Sequence, residues 1–517
     1  MIMTVSFSQP LALLLLLVVV LVLKLYPTFT TGLPFSIDSW PLIRQVKLLI
    51  ENPTTIIFDD TLFDGYNNHW PGSIILCTIG VLTSGCSLLD YTRFIAPIVS
   101  SLATLTFIVM VRRLTGDSIT SYISGFTVSI IPSLLVFTSG VTKETFTHII
   151  LYTLLLAVLY RSTVLILLSS IAIVLYHHLT SFIAIILLFE WIVVSIVVKL
   201  IKRLNVFQPQ LRALIILVIV FTVYYLAVGG IALKIMNPLY TITRLFLYIS
   251  GFTILTIIAV LRSGTGSSRS VMVTAIIQLL LLVLVFYSTI RSVSAGIPPL
   301  SFNVLFYSSI LLFSPILFQM FRVVCSSNCT RCLVYSWITA TLTLTLYSIL
   351  GGDPLFTSIP HRLVNFLAMA ISIVYGVVLS RVSRKLITLI LLFILTFNSA
   401  IVVERVITCS DKISYYWRFS VDEFSGLEYL SIVYSGAVIG DTKISYLARY
   451  FGLRVVHICS ISDSSLGGKP VILYSENLSY GFLTSLTTVG LNSILSKLLN
   501  ETSRIMMSNN IIVLWAV

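Results

Sequence analysis

Long apolar runs joined by short connections that sort by charge constrain this chain more than anything else in it. Segments able to cross about 30 Å of hydrocarbon fall near residues 9–27, 94–111, 118–138, 145–160, 162–176, 180–198, 212–233, 245–261, 271–290, 302–321, 333–350, 363–380 and 386–403. The expectation is therefore about thirteen spanning helices. When the connections are numbered alternately, one set holds Arg112, Arg113, Arg161, Lys199, Lys202, Arg203, Arg212, Arg262, Arg269, Arg322, Arg331, Arg381, Arg384 and Lys385, with only Asp117 against them. That set carries the whole formal net charge of +13, and the rest of the chain balances. Short loops rich in Lys and Arg stay in the cytoplasm. The sorting thus predicts a cytoplasmic N-terminus and, after an odd number of crossings, an extracytoplasmic C-terminus. Fusing the two short runs on either side of Arg161 would invert the sorting beyond it, so they are read as separate helices.

Only 10% of residues are charged and the mean hydropathy is +1.04, against about 25% charged in soluble globular chains. A basic balance can signal nucleic acid, but here positive-inside sorting accounts for it. The expected surroundings are membrane lipids, with no nucleic acid. The run Leu11 to Leu25 follows a segment without Lys or Arg and lacks a small-residue cleavage site, so it reads as a retained helix rather than a secretory signal. The reading is a polytopic α-helical protein of the cell membrane. Residues 1–403 form the transmembrane part, with a long first outer loop at 28–93. Residues 404–517 form a small extracytoplasmic α/β domain. Strand-like runs at Ser431–Val438, Arg454–Cys459, Val471–Tyr474 and Ile511–Trp515, and a helix-like run after Asp441, support that last assignment.

The seven cysteines divide between the sides. Cys77, Cys86, Cys409 and Cys459 fall outside, where Cys409 and Cys459 are candidates to pair. Cys325, Cys329 and Cys332 fall inside with C-x3-C-x2-C spacing. That spacing occurs in three-cysteine iron–sulfur sites, but a short loop between two helices without a fourth cysteine fits juxtamembrane thiols better. Sequons at Asn477 and Asn500 are open to glycosylation only if the tail is outside.

The polar candidates lie mostly in outer loops. Asp38 follows the first helix within Pro34-Phe-Ser-Ile-Asp38-Ser-Trp40-Pro41. A carboxylate at the membrane surface among aromatic and proline residues is suited to general-base work when partly desolvated. The competing reading is an N-cap for the helix-like run from Pro41 to Ile50. Asp59, Asp60 and Asp64 cluster with His69 near Gly65. They are candidate ligands for a divalent cation such as Mg or Mn, or a solvated turn. The short Ile74–Leu82 run is too short to span and is expected at the interface. In the second outer loop Lys143 and Glu144 stand at the mouth of a helix, ready to bind phosphate and orient a hydroxyl, or to form a helix-end ion pair. His177 and His178 occupy the third outer turn. Being adjacent, they are ill placed to share a metal but able to hydrogen-bond a ligand. Arg362 starts a late helix after Pro360-His361, with Asn365 a turn below, and forked contacts to phosphate oxygens suit it. Glu190 is the one acid in the middle of a spanning run, a functional candidate by default.

Together these features resemble the GT-C superfamily of integral-membrane glycosyltransferases, especially its archaeal members. The resemblance rests on Asp38 after the first helix, His69-Trp70-Pro71 before an interfacial helix, the Lys143-Glu144 motif, Arg362 at a late outer loop and an outer tail. It spans most of the chain through short motifs. Thirteen helices with an outer tail are also similar to the catalytic subunit of oligosaccharyltransferase. That family's Trp-Trp-Asp-Tyr-Gly tail motif is absent, however. Only Tyr415-Tyr416-Trp417-Arg418 stands in the tail, and the acidic motif of the second outer loop is reduced to Glu144, which argues against N-glycan transfer to a sequon. Gly436-Ala-Val-Ile-Gly440-Asp441-Thr-Lys443 resembles the tail of archaeal GT-C-like proteins.

The resemblance implies a sugar transferred from a polyprenyl-phosphate donor to a lipid, glycan or protein acceptor at the outer face, with inversion. Asp38 would be the general base. Arg362, Lys143 and His361 would bind the donor phosphate, and Glu144, His69, His177 and His178 would assist on the acceptor side. Two other readings stand beside it. One is an ion-coupled transporter or lipid flippase using Glu190, which leaves the outer loop and tail without a task. The other is an inactive GT-C-like assembly or anchoring protein.

Overall fold

The computed structural model describes residues 8–202, 209–230, 238–261, 314–325, 327–350, 360–382, 385–408, 415, 417–458, 470–474, 477, 481–483, 488–489, 504–508 and 511–515. The helices are α1 (Ser8–Thr31), α2 (Ser39–Glu51), α3 (Gly72–Ser84), α4 (Leu88–Thr115), α5 (Ser118–Ser129), α6 (Pro132–Phe137), α7 (Lys143–Tyr160), α8 (Thr163–Tyr176) and α9 (His178–Lys202). They continue with α10 (Pro209–Tyr224), α11 (Pro238–Leu261), α12 (Ser314–Val324), α13 (Asn328–Leu350), α14 (Pro360–Leu379), α15 (Lys385–Ile407), α16 (Val421–Val433) and α17 (Thr442–Tyr450).

Seven helices among the described residues are long and apolar enough to cross a membrane: α1, α4, α9, α14, α15, the α10 segment with its π-helical extension to Gly229, and the greater part of α11. The protein is a multi-pass membrane protein. The expected crossing at 271–290 and the first part of 302–321 lie outside the described residues. Arg161 does separate two helices: it takes φ 62° in the left-handed region and closes α7, and Ser162 caps α8. The run at 118–138 is not one helix. Pro132 has no N–H to continue the ladder, so α5 stops at Ser129 and α6 restarts at Pro132.

The basic loops gather at one end of the bundle. There the Arg113 guanidinium covers the Tyr160 ring at 4.8 Å, Thr330 donates to the Leu114 carbonyl, and Asp117 caps α5. Lys143, at the other end of α7, stands about 27 Å away at 1.5 Å per residue. That opposite end carries the first outer loop and the tail. α3, the expected interfacial segment, buries Ile74 and Cys77 against α2 while Ile75, Ile79 and Leu82 stay exposed as one stripe.

In the tail, β1 (Ala437–Gly440), β2 (Arg454–His457), β3 (Val471–Tyr474), β6 (Arg504–Ser508) and β7 (Ile511–Trp515) form one sheet in the order β2-β1-β3-β7-β6. β1 runs parallel to β2 and β3, while β7 is antiparallel to β3 and β6. β4 (Phe482–Leu483) and β5 (Thr488–Val489) form a separate pair. Ser431–Val438 is not one strand. The capping box between Ser420 and Glu423 starts α16, which runs through Val433 before β1 begins. The tail is not appended at a distance. Trp40 of α2 is fully buried between Phe419, Phe424 and Tyr450 of the tail. One apolar cluster joins Leu33, Trp40 and Ile43 to Leu427, Val438 and Leu447.

One sequence expectation changes here. The Asn477 side chain is completely buried. Its amide nitrogen donates to Asp441 and to the Gly481 carbonyl, and its oxygen accepts from the Tyr474 N–H. It is a structural residue that no glycan can reach in the folded tail. Asn500, Cys409 and Cys459 lie outside the described residues.

Candidate active site

Three parts of the sequence meet at the end of the bundle opposite the basic loops: the turn before α2, the start of α7 and the start of α14. Pro34 to Ile37 turn sharply, with Ser36 at φ 72°. The Asp38 N–H donates to Ser36 Oγ, and the Ser39 hydroxyl turns back to the Phe35 carbonyl. Asp38 occupies the N-cap position of α2 but makes no side-chain capping bond, so its carboxylate is free for the site. It stands 37% exposed, an open group rather than the desolvated one expected from its neighbours.

Gly140 brings the second outer loop against this turn. A Cβ there would lie 2.4 Å from the Phe35 carbonyl oxygen and 2.7 Å from Ser36 Cβ, so only glycine permits the approach. The loop closes with Thr142 capping α7 through the Thr145 N–H. The first two residues of α7 then point into the site. Glu144 is 1% exposed. Arg362, in the first turn of α14, donates to Glu144 Oε1 at 3.1 Å and to Asp38 Oδ2 at 3.3 Å. One guanidinium thus bridges two carboxylates that are 106 positions apart in sequence (144 minus 38).

On the far side of Glu144, His177 Nε2 lies 3.8 Å from the same oxygen, and its Nδ1 is held by Thr180 at 2.8 Å. Lys143 is buried, and its ammonium stands 4.0 Å over the Tyr66 ring with no hydrogen-bond partner among the described residues. Burial, with the Arg362 charge adding to it, brings that amine down to about 7. Glu144 Oε2 also lacks a partner there. The site therefore offers a paired carboxylate open to solvent, a bridging arginine and an unpaired buried amine.

His69 and His178 line the next layer. His69 Nε2 is 2.9 Å from Asp60 Oδ1, which also accepts from Asn68, and Tyr224 donates to the His69 carbonyl. Trp70 packs on His178 at 4.9 Å and on Tyr224 at 5.6 Å. This layer positions Tyr66, and so Lys143, rather than reaching Asp38. The side chain of His361 lies outside the described residues.

Asp59, Asp60 and Asp64 do not converge as metal ligands. Asp59 accepts from the N–H and hydroxyl of Thr61, which hold its carboxyl below the usual range. Asp64 accepts from the Tyr66 and Asn67 N–H groups and from the Asn67 amide. Asp60 orients His69. Among the described residues no three His, Cys, Asp or Glu side chains gather around a cation position. Each of the three carboxylates is used in a local turn or hydrogen bond.

Glu190 sits within α9, completely buried, and accepts a 2.6 Å hydrogen bond from Thr253. It is remote from the outer site along its helix. Sequence reasoning missed Lys24, a buried lysine in α1 that donates to Thr138, the C-cap of α6. An isolated lysine inside an apolar run was the signal that marks it. Tyr66 was also missed, and nothing local in the sequence marks it.

No family model matches the chain, and no curated protein matches it. Solved structures do. The archaeal oligosaccharyltransferase AglB from Archaeoglobus fulgidus, solved with an inhibitory peptide and a dolichol-phosphate, superposes at a TM-score of 0.55 with 15% identity, over 87% of this chain and 64% of that one. An Archaeoglobus fulgidus oligosaccharyltransferase complex with Zn and sulfate gives 0.48 at 16% identity, over 85% and 62%. ArnT from Cupriavidus metallidurans bound to undecaprenyl phosphate gives 0.41 at 12% identity, over 98% of both chains. This chain thus spans a little under two thirds of the oligosaccharyltransferases it matches. At such identities the likeness is one of fold: over most of its length this chain folds like the archaeal oligosaccharyltransferase AglB.

Proposed function

We propose that the protein is a membrane glycosyltransferase that takes a sugar from a polyprenyl-phosphate donor and passes it to a hydroxyl-bearing acceptor at the outer face. The observation that carries this reading is the bridge from Arg362 to Asp38 and Glu144, with the Lys143 ammonium unpaired beside it. Asp38 is the general base. The acceptor oxygen attacks the anomeric carbon, its proton passes to Asp38, and the bond from that carbon to the phosphate oxygen breaks with inversion. The leaving group is a polyprenyl phosphate. The phosphate's own negative charge draws the buried Lys143 amine into its protonated form, and Lys143 and Arg362 share in neutralising it. Because Arg362 already holds two carboxylates, Lys143 takes the larger part of the phosphate. Glu144 and His177 set the position of Arg362, and His69 acts through Tyr66.

The scheme routes no step through a divalent cation, because a lipid monophosphate leaving group does not require one. The basic end faces the cytoplasm, with the N-terminus there, and residues 404–517 lie outside as a domain packed on the first outer loop. The positive-inside sorting supports that orientation.

The test uses purified protein in nanodiscs with a radiolabelled polyprenyl-phosphate sugar and a panel of hydroxyl acceptors. Transfer by the native protein that is lost in Asp38→Asn supports the reading. Transfer undiminished in Asp38→Asn removes Asp38 from the chemistry.

A further inference from the structure

A cavity of about 360 Å³ lies between α2 and the turn joining α17 to β2. It is at the lower end of the size range of small-molecule sites. Its charged lining is Arg44, Arg449, Arg454 and Asp64, three guanidiniums against one carboxylate. Asp64 is a weak counter-charge, because its oxygens already accept from two backbone N–H groups and the Asn67 amide. Arg44 donates one N–H to the Leu62 carbonyl. Its half-buried position and the Arg449 charge both work against its cation. Arg449 and Arg454 are exposed, and among the described residues no acceptor takes their N–H groups.

The turn between them is built to present them. Gly452 sits at φ 84°, and the Gly452 N–H returns to the Arg449 carbonyl. Clustered like charges disfavour the folded state unless something neutralises them. Forked guanidiniums around one small cavity match the oxygens of a phosphate, sulfate or carboxylate.

The cavity lies close to the proposed catalytic site. Arg44 stands six residues after Asp38, about 9 Å along α2. Tyr446, one turn before Arg449 on α17, is close enough to Asp38 and Arg362 that their charges act on its phenol. Two of the three arginines belong to the tail, so a group held here approaches from the tail's side of the site and not from between the spanning helices.

We infer that this cavity is an acceptor subsite for an oxyanion, a uronate or phosphate carried about one sugar unit from the reacting hydroxyl. The inference rests on the glycosyl-transfer reading for the word acceptor, but the anion site can be tested without it.

The experiment uses full-length protein in phosphatidylcholine nanodiscs, with glucuronate, glucose 6-phosphate and glucose as probes. Binding is followed by saturation-transfer NMR and by thermal shift. Glucuronate and glucose 6-phosphate should bind, glucose should not, and salt should weaken the binding. The double variant Arg449→Ala/Arg454→Ala should bind both anions at least tenfold more weakly, with unfolding in their absence unchanged because both side chains are exposed. Asp38→Asn should bind them as the native protein does, so loss of transfer and loss of anion binding are separable. Absence of anion binding, or equal binding in the double variant, overturns the subsite. Repeating the titration in discs containing phosphatidylglycerol addresses the other source of the same chemistry. If that lipid displaces the sugar anions, the cavity holds a membrane headgroup and the acceptor assignment fails.

Discussion

Arg362 is the centre of the site, and removing it tests both stability and chemistry. Its bond to Glu144 is 3.1 Å long, and Glu144 is 1% exposed. Opposite charges near 4 Å attract by about 4 kcal/mol at an effective dielectric of 20. Deleting one partner of a buried pair costs about 3 to 5 kcal/mol, because the other charge stays buried alone. The Asp38 arm is 37% exposed and contributes about 0 to 1 kcal/mol. Arg362→Ala should therefore lose about 3 to 5 kcal/mol, nearly all of it through stranded Glu144. Glu144→Gln should cost only about 1 kcal/mol, since the amide needs no counter-charge and Arg362 keeps Asp38. In the double variant nothing is stranded, so it should be more stable than Arg362→Ala alone, with a coupling of at least about 2 kcal/mol. The assay is reversible unfolding in mixed micelles followed by tryptophan fluorescence. Two strictly additive single effects, or an Arg362→Ala protein as stable as the native one, would refute the bridge. The same cycle shows why donor affinity should be read from Arg362→Lys: the alanine variant mixes a lost phosphate contact with a damaged site.

Asp38→Asn should lower transfer about 10² to 10⁴-fold with unfolding unchanged, since Asp38 caps no helix; turnover counts and a melting curve settle it. Lys143→Gln should weaken binding of a polyprenyl phosphate about ten- to a hundredfold, measured by lipid titration in nanodiscs, and unchanged binding would place the phosphate elsewhere. Gly140→Ala should reduce transfer sharply, because the added carbon meets the Phe35 carbonyl at 2.4 Å and must part the two loops; full activity would mean that the loops need not touch. Glu428→Cys, on an exposed face of α16, should be labelled by a membrane-impermeant maleimide in intact cells, and labelling only after permeabilisation would reverse the topology.

Much of the membrane part was legible because it obeys one-dimensional rules. Run length, charge sorting and the break at Arg161 follow from hydrophobicity and the positive-inside bias. The break at Pro132 was missed, because the apolar run around it reads as one span. The site was half legible. Asp38, Glu144, Arg362 and His177 were each identified singly as polar residues at membrane ends, yet nothing local joins residues 106 and 218 positions apart. Their junction depends on Gly140 and on the turn at Ser36, and neither a lone glycine nor a serine announces its backbone angle. The aspartates near His69 left two readings open because carboxylate density in sequence is the same for a metal cage as for a series of hydrogen-bonded turns. Only the direction of each oxygen distinguishes them. Asn477 misled because a sequon specifies residue types and says nothing of burial.

The packing of Trp40 decides how the tail should be regarded. Asp38 is two residues before Trp40, and the indole is enclosed by Phe419, Phe424 and Tyr450 with no exposed surface. The position of the proposed base is therefore fixed from two sides. Arg362 holds its carboxylate from the bundle, and the tail core holds its backbone through α2. Truncating a buried tryptophan to alanine costs about 3 to 5 kcal/mol, and here the loss would fall on the seam between tail and outer loop. A tail that only tethered a partner would not need to share its core with the helix that carries Asp38. The shared core makes residues 417–458 part of what fixes the position of the proposed base. It also places Arg449 and Arg454 along the same path, so the surface that fixes Asp38 and the surface proposed to read the acceptor are two faces of one interface.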